Sequence, residues 1–123
     1  MNLKAILLVF IGGGLGSGLR YLIALLMRPY SSQFPFGTLI ANTIGCFLIG
    51  LLVSYLNRIG VLKESLSLFL VVGFCGGLTT FSSFSLDLLN LIKVAPSFLS
   101  LLYFVGNIAL GILFLLFGLW INR

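Results

Sequence analysis

A chain of 123 residues that is 60% hydrophobic and 7% charged falls far below the roughly 25% charged content of an ordinary soluble domain, which excludes a water-soluble globule. With no His, and with Glu64 and Asp87 as its two acids, it lacks the side chains for a metal centre, a catalytic triad or paired-carboxylate chemistry, so it is not expected to be an enzyme. The net charge of +5 comes from seven basic residues scattered among apolar runs; they form no stripe able to track phosphates, and nucleic acid is not expected as a partner.

A membrane helix needs about 20 apolar residues, and cutting the chain at its polar and Pro-containing clusters leaves four such stretches, 3–27, 37–56, 66–92 and 98–121. The expected fold is therefore an all-α membrane protein, with a single four-helix transmembrane domain covering residues 1–123. Lys4 ahead of the apolar run Ala5 to Ile11 could open a secretory signal, but no small-x-small cleavage site follows, so a retained first span is expected.

The first stretch contains Gly12-Gly13-Gly14-Leu15-Gly16-Ser17-Gly18. Such a run superficially suggests a dinucleotide loop, but it lies inside an apolar span with no strand before it. Helix packing through Gly12/Gly16 and Gly14/Gly18 is the expectation, because small residues four apart let helix backbones approach closely. Arg20 follows; snorkelling to the nearer surface is its default, and lining a vestibule that attracts anions is the alternative. Residues 28–35 carry two prolines, Pro29 and Pro35, around a polar centre, and form a loop.

In the second stretch Asn42 lies one turn after Thr38. Its amide must find a partner, either across a helix interface or in a permeating anion. The following connection carries Arg58, Lys63 and Glu64, and the next is marked by Lys93 and Pro96. Cys46 and Cys75 both fall within apolar stretches and read as buried hydrophobes rather than a disulfide.

The third stretch reads badly as a continuous helix. Gly73, Gly76 and Gly77 are followed by Thr79, Thr80, Ser82, Ser83 and Ser85, which combine poor helix propensity with side chains that compete for backbone hydrogen bonds. A break near the middle of the span is expected, and in a bilayer a break is tolerated only where the freed backbone groups face protein or a polar cavity. Gly73/Gly77 also has close-packing spacing, but packing alone leaves the hydroxyls unexplained. Phe81 and Phe84 share a face of the helix that resumes; packing is the ordinary role of such a pair, and an electropositive ring edge turned to an anion is the sharper one. Asp87, the one acid within a span, is expected to pair with a basic residue or reach water. In the fourth stretch Asn107 follows Tyr103 by one turn and poses the same choice as Asn42.

Four spans put Lys4, Arg58, Lys63 and Arg123 on one side of the membrane, against Arg20, Arg28 and Lys93 on the other. This near-tie barely chooses an orientation by the positive-inside rule; insertion both ways round and a weak single bias both fit it.

The segments 12–21, Pro35-Phe36-Gly37-Thr38-Leu39-Ile40-Ala41-Asn42 and 73–84 together resemble the Fluc, or CrcB, family of small fluoride channels, over nearly the whole chain. The resemblance implies passive, selective fluoride export across a bacterial inner (plasma) membrane by an antiparallel, dual-topology homodimer embedded in lipid, with the third helix broken at its middle. It further implies a structural Na+ at the dimer interface, held by carbonyls of Gly76 and Thr79. Asn42, Phe81 and Phe84 match the pore asparagine and the two phenylalanines that face fluoride; Thr38, Ser82 and Tyr103 look like part of the polar track, and Arg20 matches the vestibule arginine. Asn107 departs from the serine expected in many relatives, although its amide can still donate to the track. The competing reading is a proton-coupled cation antiporter similar to the small multidrug resistance transporters, in which Asp87 would have to be the coupling carboxylate.

Overall fold

The computed structural model describes residues 2–61, 65–94 and 97–122. Lys63, Glu64, Pro96 and Arg123, which enter the charge count and the loop reading above, lie outside them. The described residues form four helical spans and no strand, each span long and apolar enough to cross a membrane. The first helix is Leu3–Met27, the second Phe36–Arg58 and the fourth Ser97–Ile121. The third span runs over Ser65–Val94 but is not one regular helix.

The helix ends follow from local chemistry. Asn2 caps the first helix by accepting a hydrogen bond from the amide of Ala5 at 3.4 Å, and Pro29 sits in a 3-10 turn, Arg28–Tyr30, that ends the helix. After the second helix Gly60 takes φ 77°, a left-handed conformation that costs glycine little. The amide of Gly60 then donates to Asn57 O at 3.1 Å and that of Val61 to Leu56 O at 3.0 Å, which closes the helix in a Schellman motif.

Glycines set the packing. In lipid, helices have no hydrophobic drive to associate, so close backbone approach carries much of the adhesion. The first helix lies on the proximal half of the third span: a Cβ on Gly12 would stand 2.3 Å from Phe69 O, one on Gly16 2.0 Å from Phe74 O, and one on Gly77 2.4 Å from Gly13 O. The second helix meets the fourth in the same way, through Gly50 against Leu115 O at 2.1 Å and Gly118 against Phe47 O at 2.3 Å. A Cβ on Gly14 or Gly18, which were expected to pack as Gly12 and Gly16 do, would meet nothing of another element within 4 Å. Both glycines lie on a different face of the first helix, the one turned away from the rest of the protomer. A Cβ on Gly73, by contrast, would stand 2.9 Å from Val9 O, so close packing and the helix break in the third span are both present rather than alternatives.

The third span begins with one α-turn, Ser65–Ser67, continues as a π-helix over Leu68–Cys75, and ends its proximal half with Gly76–Leu78. At Thr79 the backbone swings to an extended conformation, φ −82° and ψ 148°, and the helix resumes over Phe81–Val94. This two-residue interruption is the expected break, and it falls between the glycines and the serines.

Candidate functional site at the break in the third span

Interrupting a helix at Thr79 and Thr80 frees backbone donors and acceptors that lipid cannot satisfy. Four side chains take them up. Thr80 N donates to Asn42 Oδ1 at 2.8 Å, in place of the carbonyl one turn back, while Asn42 Nδ2 donates to Thr80 O at 3.2 Å. Asn42 thus acts as a surrogate backbone unit, pairing reciprocally with Thr80. On the side facing the first helix, Arg20 Nε donates to Gly77 O at 3.1 Å and Ser17 Oγ to the same oxygen at 3.4 Å. Arg20 Nη1 also reaches Ser83 Oγ at 3.3 Å, so the guanidinium, for which snorkelling is the default, is turned onto the break. Finally Thr80 Oγ1 accepts from the amide of Ser83 at 3.1 Å. Thr80 is the N-cap of the distal helix, a role suited to a hydroxyl residue three positions before the amide it holds.

From the break the polar contacts run on in a connected line. Thr80 Oγ1 lies 3.1 Å from Ser82 Oγ. The second Nδ2 hydrogen of Asn42 goes to Asn107 Oδ1 at 3.1 Å, and Asn107 Nδ2 donates to Tyr103 O at 3.2 Å. The phenol of Tyr103 donates to Asp87 Oδ2 at 3.3 Å, and Thr38 Oγ1 donates to the same oxygen at 2.5 Å. Asp87 therefore finds hydroxyl donors in place of a basic partner, and it also lines an open pocket with Ser31, Gln33 and Asn90.

The aromatic residues flank this line. Phe81 is 80% exposed and Phe84 only 6%; their ring centroids are 5.6 Å apart at 45°. Phe84 packs on Tyr103, with centroids 5.5 Å apart, and Tyr103 meets Phe34 edge-on at 5.4 Å. Asn42, Thr79, Thr80, Phe81, Phe84 and Asn107 line one open groove of about 640 Å³, together with apolar residues that include Leu88, Ile92 and Phe104. A smaller pocket lies between Ser17, Arg20, Tyr21, Thr38 and Ser83. The groove brings amides, hydroxyls and two phenyl rings together with no carboxylate among the described residues that line it, a set of groups whose chemistry suits an anion better than a cation.

The CrcB-like protein, Camphor Resistance (CrcB) family model matches residues 7–119, which takes in all four spans and every residue of the break. The chain belongs to the CrcB family. Among its relatives, a protein of Phocaeicola vulgatus named fluoride-specific ion channel FluC is 42% identical, over 98% of this chain and all of the relative. Proteins of the same name from Chlorobium phaeobacteroides and Prosthecochloris aestuarii are 44% and 40% identical, over 97% and 98% of this chain and 93% and 94% of the relatives. With four spans and bacterial relatives of this kind, this member of the CrcB family is a multi-pass bacterial membrane protein.

The residues singled out from the sequence fall into three places. Asn42, Phe81, Phe84, Thr79 and Asn107 share the groove; Thr38 and Tyr103 meet at Asp87; Arg20 shares the smaller pocket with Thr38, and Ser82 joins through Thr80. Thr80 and Ser83 were named from the sequence only as members of the hydroxyl cluster and given no role of their own, although a hydroxyl residue directly after a predicted break is an N-cap signal. Phe34, which packs on Tyr103, carried no such signal.

Proposed function

We propose that the chain is a fluoride-selective channel that lets the anion leave passively and so lowers its cytoplasmic concentration; the process is transport and not catalysis. The carrying observation is the break itself, where Asn42 and Thr80 pair reciprocally and share the lining of one groove in the middle of a span with the rings of Phe81 and Phe84. Fluoride is small and strongly hydrated, so a pathway must replace water's hydrogen bonds with donors already in position, while binding weakly enough at each step to release the ion. Ring edges, hydroxyls and an amide meet both demands. The names of the relatives support fluoride as the ion.

The assembly that fits this site is an antiparallel homodimer in lipid, in the plasma (inner) membrane. Gly14, Gly18 and Gly76 have no heavy atom within 4 Å of a Cβ position, and the large ring of Phe81 is uncovered; a second copy would close both. The nearly equal charge on the two sides supports insertion both ways round. A structural Na+ would be held by the carbonyls of Gly76 and Thr79. Their chemistry suits a hard cation: both are backbone oxygens at the break, and the amide that would otherwise bond Gly76 O belongs to Thr80, which is given to Asn42. Bound there, the ion supplies positive charge to the middle of the membrane; Arg20, which also lies at the break, would draw anions to the smaller pocket.

The antiporter reading needs Asp87 to exchange protons. Asp87→Asn keeps an acceptor for Thr38 and Tyr103, so passive fluoride efflux of the same order as the wild type is expected, with no proton movement linked to it. A pH electrode and a fluoride electrode on the same proteoliposomes check this. Loss of a substrate-driven proton flux in the variant would instead favour the antiporter.

A further inference from the structure

Asn42 has no spare donor. Its amide nitrogen carries two hydrogens, one given to Thr80 O at 3.2 Å and the other to Asn107 Oδ1 at 3.1 Å. An anion in the groove can receive a hydrogen from Asn42 only by replacing one of these two oxygens. The two are not equivalent. Thr80 O is half of a reciprocal pair, because Thr80 N donates back to Asn42 Oδ1 at 2.8 Å; losing that pair would orphan both backbone groups at the break. Asn107 Oδ1 is held by one bond, and Asn107 is anchored independently through Nδ2 to Tyr103 O at 3.2 Å. Asn107 is 9% exposed and lines the same groove as Phe81 and Phe84.

Resting on the channel reading, we propose that Asn107 is a positioning residue for Asn42: it stands in as the acceptor of one Asn42 N–H when no ion is present, and fluoride passes this point by exchanging with Asn107 Oδ1 on that hydrogen. A buried N–H with no acceptor is costly, so a pathway without a stand-in would either leave Asn42 strained when empty or hold the ion too long when filled. With the stand-in, each arrival replaces one acceptor by another and the net gain is small, as rapid passage requires. Asn107 accordingly gives up no hydrogen to the ion, because its own Nδ2 stays on Tyr103 O. It sets how tightly the groove holds fluoride, and the break forms without it.

The test is fluoride flux from proteoliposomes as a function of fluoride concentration for the wild type, Asn107→Ser and Asn107→Ala. Far-UV circular dichroism and gel filtration in detergent verify folding and assembly. Neither short side chain spans the distance to Asn42, so the N–H is left waiting for the ion. The half-saturating fluoride concentration should fall about threefold to tenfold, and maximal flux should fall with it because release slows. If the wild type conducts and half-saturation in both folded variants rises or stays unchanged, the proposal is overturned and Asn107 either donates to the ion or only fills space. If the wild type carries no fluoride, the channel reading itself falls.

Discussion

Phe81→Ile is expected to abolish fluoride flux while leaving the protomer folded and the dimer assembled. In the single protomer the ring is 80% exposed and among the described residues its one aromatic neighbour is Phe84, with centroids 5.6 Å apart, so losing it costs about 1 kcal/mol of packing. What isoleucine lacks is the electropositive ring edge, and no methyl group replaces a donor to an anion stripped of water. Phe84→Ile should abolish flux as well, but with a lower unfolding midpoint. That ring is buried against Tyr103 and Phe104, with centroids 5.5 Å and 6.1 Å away, and its removal forfeits both contacts and leaves a cavity costing about 2 kcal/mol. Flux assays beside denaturation in detergent separate the two cases. Wild-type flux in a folded Phe81→Ile dimer would remove the ring edges from the mechanism.

The second large effect is on helix packing within the protomer. Gly16→Ala places a Cβ 2.0 Å from Phe74 O and 2.8 Å from the amide of Leu78, both backbone atoms of the third span just before the break. Backbone cannot swing aside as a side chain can, so the first helix must move away, at a cost of about 3 kcal/mol or more. Arg20 sits one turn further along the same helix and would lose its hold on Gly77 O and Ser83 Oγ. Gly16→Ala should therefore unfold at markedly lower denaturant concentration and carry no flux. Gly14→Ala, two residues away with nothing within 4 Å, should leave the protomer as stable as the wild type or gain about 1 kcal/mol of helix propensity. If it folds but no longer dimerises, the face carrying Gly14 is the one a second copy covers.

The contrast between Gly14 and Gly16 shows where sequence reading stops. Both belong to pairs spaced four apart, and spacing alone does not say which face of the first helix turns inward; that is decided by the third span, through Gly73 and Gly77. The four spans were legible because length and apolar content suffice to define them. The break was legible because glycines followed by hydroxyl residues are a poor helix in any context. The need of Asn42 for a partner was legible too, but its partners Thr80 and Asn107 lie 38 and 65 residues away, and only the packing of the second helix on the third and fourth spans brings them together. Asp87 illustrates the same limit: sequence identified a carboxylate needing partners, and tertiary structure supplied the hydroxyls of Thr38 and Tyr103.

The central claim is tested most directly by anion efflux from liposomes holding the purified protein, recorded with a fluoride electrode, repeated with chloride, and run under a potassium and valinomycin shunt so that charge cannot limit the flow. Rapid loss of fluoride with chloride retained is the predicted result. Retention of fluoride by liposomes that contain a verified dimer would contradict the account.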